Sequence, residues 1–318
     1  MLRTVAITVL LTVGWVHPAW TQDSGQPAPP QQPCTRRTIA VSVTDKNGEP
    51  VTGLTAADFR GEFRGQPVQI LSVTTRIFPM RIVVVLDRSG SMQDKWAVVM
   101  EAARHIYAIA PSDVSLGLIL FNDVVTDKLY FENPRAAVIN ALVEAEKQKG
   151  AAKGRTALLD ALGAALDMNP QPLPADVIYV IADGEENRSR TKYGELEKRL
   201  LASDMRVFAF EIYTPFSPRN RNPNEFIAKS QLASMADESG GAILPLLVAE
   251  KDLARHFVKF YQRMTEPYEL QIELPVEVDK KRDWKLELVR AKELKRPELT
   301  YPRKLVPCPV PAVQAAIP

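Results

Sequence analysis

Residues 81–92 read RIVVVLDRSGSM, an apolar, β-branched run that ends in an aspartate and continues into two serines around one glycine. A continuous apolar run of this length is typical of a strand that is buried on both faces of a parallel sheet. In open parallel sheets, ligands bind beyond the carboxyl ends of the strands. We therefore expect Asp87, Ser89 and Ser91 to lie at the binding edge of such a sheet.

Beyond this stretch, helix and strand patterns alternate as far as residue 264. Apolar residues at helical spacing predict a helix over 96–110, and VSLGLILF predicts the next buried strand. Further elements of both kinds follow: an edge strand at 124–131, helices at 134–147, 156–168, 193–203, 225–241 and 251–264, and strands at 176–183, 206–213 and 242–246. This alternation predicts a doubly wound, mostly parallel, Rossmann-like α/β sheet with helices on both faces.

Segments with strand patterns flank the α/β unit on both sides. Residues 37–78 contain TIAVSVTD, the turn signal Asn47-Gly48 and the short strand candidates VTGL, FRGEF and VQILSVTT. Residues 265–306 contain the alternating stretches YELQIELPVEV and WKLELVRA. We infer that the two segments pair into one small β-sandwich-like subdomain beside an α/β domain of residues 79–264.

The first 21 residues predict a cleaved secretory signal peptide, because a charged residue, a short apolar stretch and the small-residue site Ala19-Trp20-Thr21 follow one another. A retained membrane anchor is the less favoured alternative, because the apolar stretch is shorter than the about 20 residues that a membrane-spanning helix needs. Residues 22–36 are rich in Pro and Gln, which predicts an extended linker, and residues 307–318 predict a flexible tail. We therefore expect an exported protein, periplasmic or secreted.

The two cysteines, Cys34 and Cys308, lie near the two ends of the mature chain. Disulfides persist in exported proteins, and pairing of the flanking β segments would bring these two residues together. Two free thiols near loose chain ends are the alternative. Cysteines this far apart, with no histidine near them, are poor zinc ligands.

Composition and charge argue against several classes of function. Hydrophobic residues make up 46% and charged residues 25%, as in ordinary globular proteins, and 40 basic against 38 acidic residues leave a net charge of +2. No dense basic block suggests nucleic acid as a partner. The stretch GAAKGRT lacks the spacing of a phosphate-binding loop, and no Gly-x-Ser-x-Gly elbow surrounds Ser91, so neither an NTPase nor a serine hydrolase is indicated.

The strand-end residues supply hard oxygen ligands. Asp87 and Asp183 each close an apolar strand, Ser89 and Ser91 add two hydroxyl groups, and Thr156 in KGRTALLDAL is placed to add a third. Carboxylates and hydroxyls suit Mg²⁺, Mn²⁺ or Ca²⁺, whereas Zn²⁺ favours the His and Cys that are missing here. Since few of these ligands are charged, the cation would keep a positive character and an open position for a partner's Asp or Glu carboxylate.

This pattern of an Asp-x-Ser-x-Ser motif, a later Thr and a later strand-end Asp resembles the metal-ion-dependent adhesion site of von Willebrand factor A domains. The matching positions are Asp87, Ser89, Ser91, Thr156 and Asp183. The resemblance implies that these residues surround a divalent metal, most often Mg²⁺, with the aspartates acting largely through water. It also implies a module that attaches to a protein partner and has no catalytic residues.

The resemblance covers roughly residues 79–264. The preceding stretch VTDKNGEPVTGLTAADF is similar to the lead-in of bacterial exported proteins described as VWFA-related. Both parts of the chain thus indicate the same exported family.

The individual site residues also have plainer interpretations. Asp87, Ser89 and Ser91 can form a strand-end turn that caps the next helix, and Thr156 can be a helix cap. Asp123, which follows the strand LILF, is predicted to be a loop residue outside the metal site.

Several charged residues near the motif leave the selectivity of the site open. Glu185 and Glu186 in the loop DGEEN can compete for the ion or for an acidic ligand, which departs from the family pattern. Arg88, inside the motif, can attract an acidic partner or simply be solvated. Lys153 and Arg155 are expected in solvent near the site, where they can steer an acidic ligand.

Two other functions stay open. The first is a Mg²⁺-dependent, phosphatase-like hydrolase with Asp87 as nucleophile, although the positions near Asp87 hold Ser89 and Ser91 rather than a second acid or base. The second is a scaffold that binds no metal.

Overall fold

The structure is a computed structural model that describes residues 34–75, 80–147, 152–174, 176–213, 223–247, 253–291, 293–294 and 297–308. These residues belong to one compact unit. The signal peptide, most of the linker and most of the tail that the sequence predicts lie outside the described residues.

The strands, in chain order, are β1 (Arg36–Thr44), β2 (Phe59–Phe63), β3 (Gln66–Thr75), β4 (Arg81–Asp87), β5 (Ser115–Phe121), β6 (Val125–Leu129), β7 (Val177–Ala182), β8 (Arg206–Tyr213), β9 (Ala242–Leu247), β10 (Tyr268–Glu273), β11 (Arg282–Asp283), β12 (Lys285–Leu288), β13 (Glu298–Thr300) and β14 (Lys304–Leu305).

The helices are α1 (Trp96–Ile109), α2 (Arg135–Lys147), α3 (Leu158–Asp167), α4 (Tyr193–Ser203), α5 (Pro223–Ser239) and α6 (Leu253–Thr265), with 3₁₀ turns at Ala56–Asp58 and Gly90–Lys95. None of the helices in the described ranges is long and apolar enough to span a bilayer.

Six strands form the central sheet in the order β6-β5-β4-β7-β8-β9. All neighbours in this sheet pair in parallel except β5 and β6, which pair antiparallel at the edge. The chain moves outward from β4 to β6 and then returns to add β7 on the other side of β4. The predicted doubly wound, mostly parallel α/β architecture is confirmed.

Alternate residues of β4 face opposite sides of this sheet. Ile82, Val84 and Leu86 pack into a core cluster with α1, α2 and α6, whereas Val83 and Val85 pack into a second cluster with α3, α4 and α5. All five side chains are fully buried. Because burial of such a side chain stabilises a fold by about 1.5–3 kcal/mol, both faces of β4 anchor the sheet between its helix layers.

A second sheet combines the two flanking segments. Its strand order is β12-β2-β3-β10-β1-β13, so strands from before and after the α/β part are interleaved within it. β10 pairs antiparallel with both β1 and β3, for example Ile39 with Leu270 and Leu270 with Val73. A two-stranded sheet of β11 and β14 accompanies it. The additional β subdomain is therefore built from both ends of the chain.

The predicted short strand VTGL is wrong. Residues 51–54 have no regular strand structure, although the N–H of Val51 still donates to the carbonyl of Val43 at 2.9 Å. Gly53 has φ +75°, a left-handed conformation that interrupts an extended chain. The turn at Asn47 and Gly48 is present, and the Asp45 carboxylate holds it by accepting the N–H of Asn47 at 2.7 Å.

A buried arginine joins the β subdomain to the central sheet. Arg206, the first residue of β8, has no exposed surface and donates to the carbonyl of Met264 at 2.7 Å and to Ser42 Oγ at 3.4 Å. Ser42 lies on β1, and Met264 lies near the end of α6. The subdomain therefore packs against the amino-terminal edge of the parallel strands, opposite the edge where Asp87 lies.

The predicted disulfide between Cys34 and Cys308 is present, with the two Cα atoms 6.3 Å apart. Close to it, Arg37 donates to the carbonyl of Val306 at 2.8 Å, which holds the last described segment against β1. A disulfide of this kind persists in an oxidising compartment.

Candidate metal centre

The two predicted site aspartates lie at the ends of neighbouring strands. Asp87 is the last residue of β4, and Asp183 directly follows β7. These strands pair in parallel, and the winding of the sheet reverses between them. Open α/β sheets bind their ligands at this switch point.

The carboxylate of Asp87 is only half satisfied. Its Oδ1 accepts the N–H of Ser89 at 2.7 Å, whereas its Oδ2 is buried and has no hydrogen-bond partner among the described residues. Burial, and next the negative charge of Asp183, raise the pKa of Asp87 to about 7. A buried, unpaired carboxylate oxygen beside a second carboxylate is stabilised by a nearby cation.

The two serines of the motif place their hydroxyl groups together. Ser89 Oγ and Ser91 Oγ lie 3.0 Å apart, and Ser89 is 1% exposed. Ser89 precedes the 3₁₀ turn but its side chain makes no capping hydrogen bond there. The hydroxyl of Ser89 therefore contacts Ser91 and does not cap the 3₁₀ turn.

The loop before α3 is held against the motif by backbone hydrogen bonds. The N–H of Gly90 donates to the carbonyl of Gly154 at 2.9 Å, and the N–H of Lys153 donates to the carbonyl of Arg88 at 2.8 Å. A Cβ atom at position 90 would lie 3.2 Å from the Gly154 oxygen, so the glycine permits this close approach. The loop that carries Thr156 is therefore fixed beside the two serines.

The same loop is joined to the segment that follows β7. The N–H of Thr156 donates to Asn187 Oδ1, and the N–H of Asn187 donates to the carbonyl of Thr156, each at 3.0 Å. Thr156 is 1% exposed. The structure thus brings together the three loops that carry Asp87, Thr156 and Asp183.

Asn187 was not singled out by the sequence, and its position four residues after Asp183 in DGEEN is the only signal that pointed to its loop. The sequence predicts that Asp123 is a loop residue outside the metal site. Its Oδ1 accepts the N–H of Arg155 at 2.5 Å, next to Gly154, whose φ is +87°. Asp123 therefore positions the turn that presents Thr156.

Thr156 does not cap α3, as the alternative interpretation held. The N–H groups of Leu159 and Asp160 donate to Glu186 Oε2 at 2.9 Å and to Ser189 Oγ at 3.0 Å. Glu186 Oε1 also accepts the N–H of Ser189 at 2.8 Å. The carboxylate of Glu186 is thus occupied as a helix cap, and the expectation that it competes for the ion does not fit its contacts.

The other charged residues of the motif also have defined positions. Arg88 Nη1 lies 3.5 Å from Asp127 Oδ2 on β6, and its side chain is 11% exposed. The N–H of Glu185 donates to Asp183 Oδ1 at 3.2 Å. Lys153 and Arg155 are exposed as predicted.

A lysine that the sequence did not indicate lies inside the site. Lys95 Nζ donates to Asp183 Oδ2 at 2.7 Å, and the side chains of Lys95 and Asp183 are 11% and 3% exposed. Lys95 ends the 3₁₀ turn that begins at Gly90. The charges of Asp183 and Lys95 act on Asp87 in opposite directions: the first raises the pKa of Asp87 and the second lowers it.

The donor set fits a hard divalent cation. Within the described part of the chain, no group of three or more His, Cys, Asp or Glu residues is placed to hold a metal, so a zinc site of the usual kind is not found there. Oxygen ligands from few carboxylates and several hydroxyls suit Mg²⁺ or Mn²⁺. The unpaired Oδ2 of Asp87 is the atom that most needs such an ion.

Fold and site together define a doubly wound α/β protein with polar loops converging at the switch point of its sheet. Residues 82–243 match the family model of the von Willebrand factor type A domain. The match spans half of the chain, and the chain belongs to this family.

Comparison with curated protein sequences finds no match. Among solved structures, the chain is similar to an aerotolerance-related membrane protein from Bacteroides fragilis, with 18% identity, a TM-score of 0.44, and coverage of 58% of this chain and 98% of that one. It is also similar to a von Willebrand factor type A protein from Catenulispora acidiphila, with 13% identity, a TM-score of 0.44, and coverage of 80% and 70%. We infer no function from similarities at this level.

Proposed function

We propose that this chain is an exported binding module, not an enzyme, that attaches to a protein partner through a divalent metal, with Mg²⁺ as the expected ion. The residues proposed to hold the metal, directly or through water, are Asp87, Ser89, Ser91, Thr156 and Asp183. When bound, the cation supplies a positive charge and a free coordination position that an Asp or Glu carboxylate of the partner can fill.

The observation that carries this proposal is the buried, unpaired Oδ2 of Asp87 at the point where three loops converge. In the described contacts, the backbone bonds from Gly90 to Gly154 and from Asn187 to Thr156 hold those loops together without using the serine hydroxyls. The polar oxygens are therefore available in a fixed arrangement, which lowers the cost of ordering them around an ion.

The charges around the site support an acidic partner. Exposed basic residues lie in the loop before α3 and in the segment between β7 and α4: Lys153, Arg155, Arg188, Arg190 and Lys192. A positive rim raises the local concentration of acidic ligands and speeds their association. Export to the periplasm or beyond is supported by the disulfide between Cys34 and Cys308.

Metal binding is tested by calorimetric titration of Mn²⁺ into the full chain and into Asp87→Asn. We expect one Mn²⁺ per wild-type chain and an affinity at least about tenfold lower for the variant, because the variant loses a buried anionic ligand. Asp113→Asn, which alters an exposed aspartate before β5, is the matched control and should bind like the wild type. Absence of binding at millimolar Mn²⁺ would instead favour a scaffold that holds no metal.

Attachment is tested by affinity capture from the native envelope fraction in Mg²⁺ and in EDTA. The expected result is a partner that is captured only in Mg²⁺ and is lost with Asp87→Asn. Equal capture in EDTA would contradict a metal-dependent contact. Mg²⁺-dependent hydrolysis of a phosphate ester that disappears with Asp87→Asn would favour the hydrolase.

A further inference from the structure

The ammonium group of Lys95 lies beside one of the two carboxylates of the proposed site. It is 2.7 Å from Asp183 Oδ2, and both side chains are nearly buried. A charge-assisted hydrogen bond in such surroundings is roughly twice as strong as a neutral one. Lys95 therefore already neutralises one of the two carboxylates of the site.

A lysine in this position and a divalent metal have overlapping requirements. Both are compact cations that bind carboxylate oxygens, and the lysine stem is flexible enough to reach or to leave Asp183. Asp183 Oδ1 accepts the N–H of Glu185 at 3.2 Å and Oδ2 accepts from Lys95 at 2.7 Å, so an ion that binds Oδ2 has to displace Lys95.

We propose that Lys95 is a built-in competitor of the metal: it neutralises Asp183 when the ion is absent and has to release this carboxylate when the ion binds. This inference rests on the proposed function and adds a regulation of the same site. It has two consequences. The affinity of the site for divalent ions is lower than its oxygen ligands alone would give, and the loops stay folded without metal because their carboxylates are not left uncompensated.

The inference is tested by titrating Mn²⁺ into the wild type, Lys95→Met and Lys95→Arg. Lys95→Met removes the competing charge and should bind Mn²⁺ about tenfold more tightly or better. Lys95→Arg keeps the charge and should stay within about threefold of the wild type. The matched control is Lys153→Met, which removes an exposed positive charge from the neighbouring loop and should change the affinity by no more than about twofold.

A second measurement follows thermal unfolding of the same variants in EDTA, with circular dichroism to verify the native fold. Lys95→Met should unfold at a lower temperature than the wild type in EDTA and regain that loss when Mn²⁺ is added. Lys153→Met should show neither effect.

The outcomes separate this inference from the proposed function. If the wild type binds Mn²⁺ and Lys95→Met binds it equally or more weakly, the competitor role is overturned while the metal site stands. If Lys95→Met binds Mn²⁺ and the wild type does not, the competition by Lys95 is supported, whereas metal-dependent attachment of the wild type is contradicted. If no variant binds Mn²⁺, both proposals fall.

Discussion

The two oxygens of the Asp87 carboxylate have different surroundings. Oδ1 accepts a backbone N–H and fixes the turn into the motif, whereas Oδ2 is buried and lacks a partner among the described residues. An unsatisfied buried polar atom costs about 1–3 kcal/mol unless something compensates it. At the residue scale, this one side chain therefore combines an oxygen that holds the turn and an oxygen that is left without a partner.

Thr156 tests whether the hydroxyls contribute to the site. Thr156→Val keeps the shape of this buried side chain but removes its oxygen, so we expect the Mn²⁺ affinity to fall by about tenfold, the loss typical of altered metal-site oxygens. Titration calorimetry measures the change. Thr74→Val, at an exposed position of β3, should leave the affinity unchanged. An unaltered affinity for Thr156→Val would remove Thr156 from the site.

The sequence was sufficient to predict which loops converge, but not every residue within them. Asp87 and Asp183 were found because each ends an apolar run, and the ends of parallel strands share one edge. Lys95 was missed because its partner is 88 residues away and the contact depends on the length of the 3₁₀ turn. The helix-capping role of Glu186 could not be predicted, because a carboxylate looks the same in the sequence whether it faces an ion or caps a helix.

At the scale of elements, the N-terminus of α3 is capped by side chains from a different part of the chain. The residue before α3, Ala157, has no side-chain oxygen to cap it, and Glu186 and Ser189 accept its first N–H groups instead. The start of α3 and the segment after β7 thus form one unit. Thr156 lies two residues before the first residue of this helix, so the cap also helps to fix the position of Thr156.

Glu186→Ala should weaken this unit. Loss of the acceptor at the N-terminus of α3 is expected to lower the free energy of unfolding by about 1–2 kcal/mol, the range for lost helix caps. Urea unfolding followed by circular dichroism measures it. Glu195→Ala, an exposed residue in the first turn of α4, should stay within about 0.5 kcal/mol of the wild type. A loss no larger than that of the control would argue against the cap.

Strands buried on both faces were the most predictable elements. β4, β5 and β7 follow from apolar runs that no other local signal contradicts. The strand prediction for VTGL is wrong because its apolar and polar residues alternate as in a strand, whereas Gly53 takes a left-handed conformation. A local sequence pattern does not show which conformation a glycine adopts, because the extended and the left-handed conformations are both accessible to it.

At the scale of the whole molecule, the β subdomain and the candidate site lie at opposite edges of the parallel sheet. The subdomain contacts the amino-terminal edge through Arg206 and through residues near the disulfide. Asp204, before β8, lies close enough to Arg37 on β1 for that cation to counteract the burial that raises the pKa of Asp204 to about 6. The edge that carries the candidate site is thereby left uncovered by the β subdomain.

Removal of the disulfide should lower the stability of the fold without changing the Mn²⁺ affinity of the candidate site. A Cys34→Ser, Cys308→Ser double variant is expected to lose about 2–5 kcal/mol of unfolding free energy, because the unfolded chain is no longer constrained by a crosslink. Urea unfolding measures this loss, and Mn²⁺ titration should give the wild-type affinity. A lower Mn²⁺ affinity would show that the two edges are coupled.

The pairing of the two flanking segments could be inferred because both show strand patterns of similar length and character. Their interleaved order could not, since β10 inserts between β1 and β3 and the hydrophobic pattern is the same for other arrangements. The contact of Arg206 with Ser42 could not be predicted from the sequence either, because an arginine at the start of a strand usually faces solvent.

The crosslink between Cys34 and Cys308 also determines the path of a pulling force. When tension is applied to the chain before Cys34 and after Cys308, it passes through the sulfur–sulfur bond and bypasses the 274-residue separation between them. The central sheet and its helices carry none of that load. Tension on the two chain ends therefore leaves the candidate site unloaded.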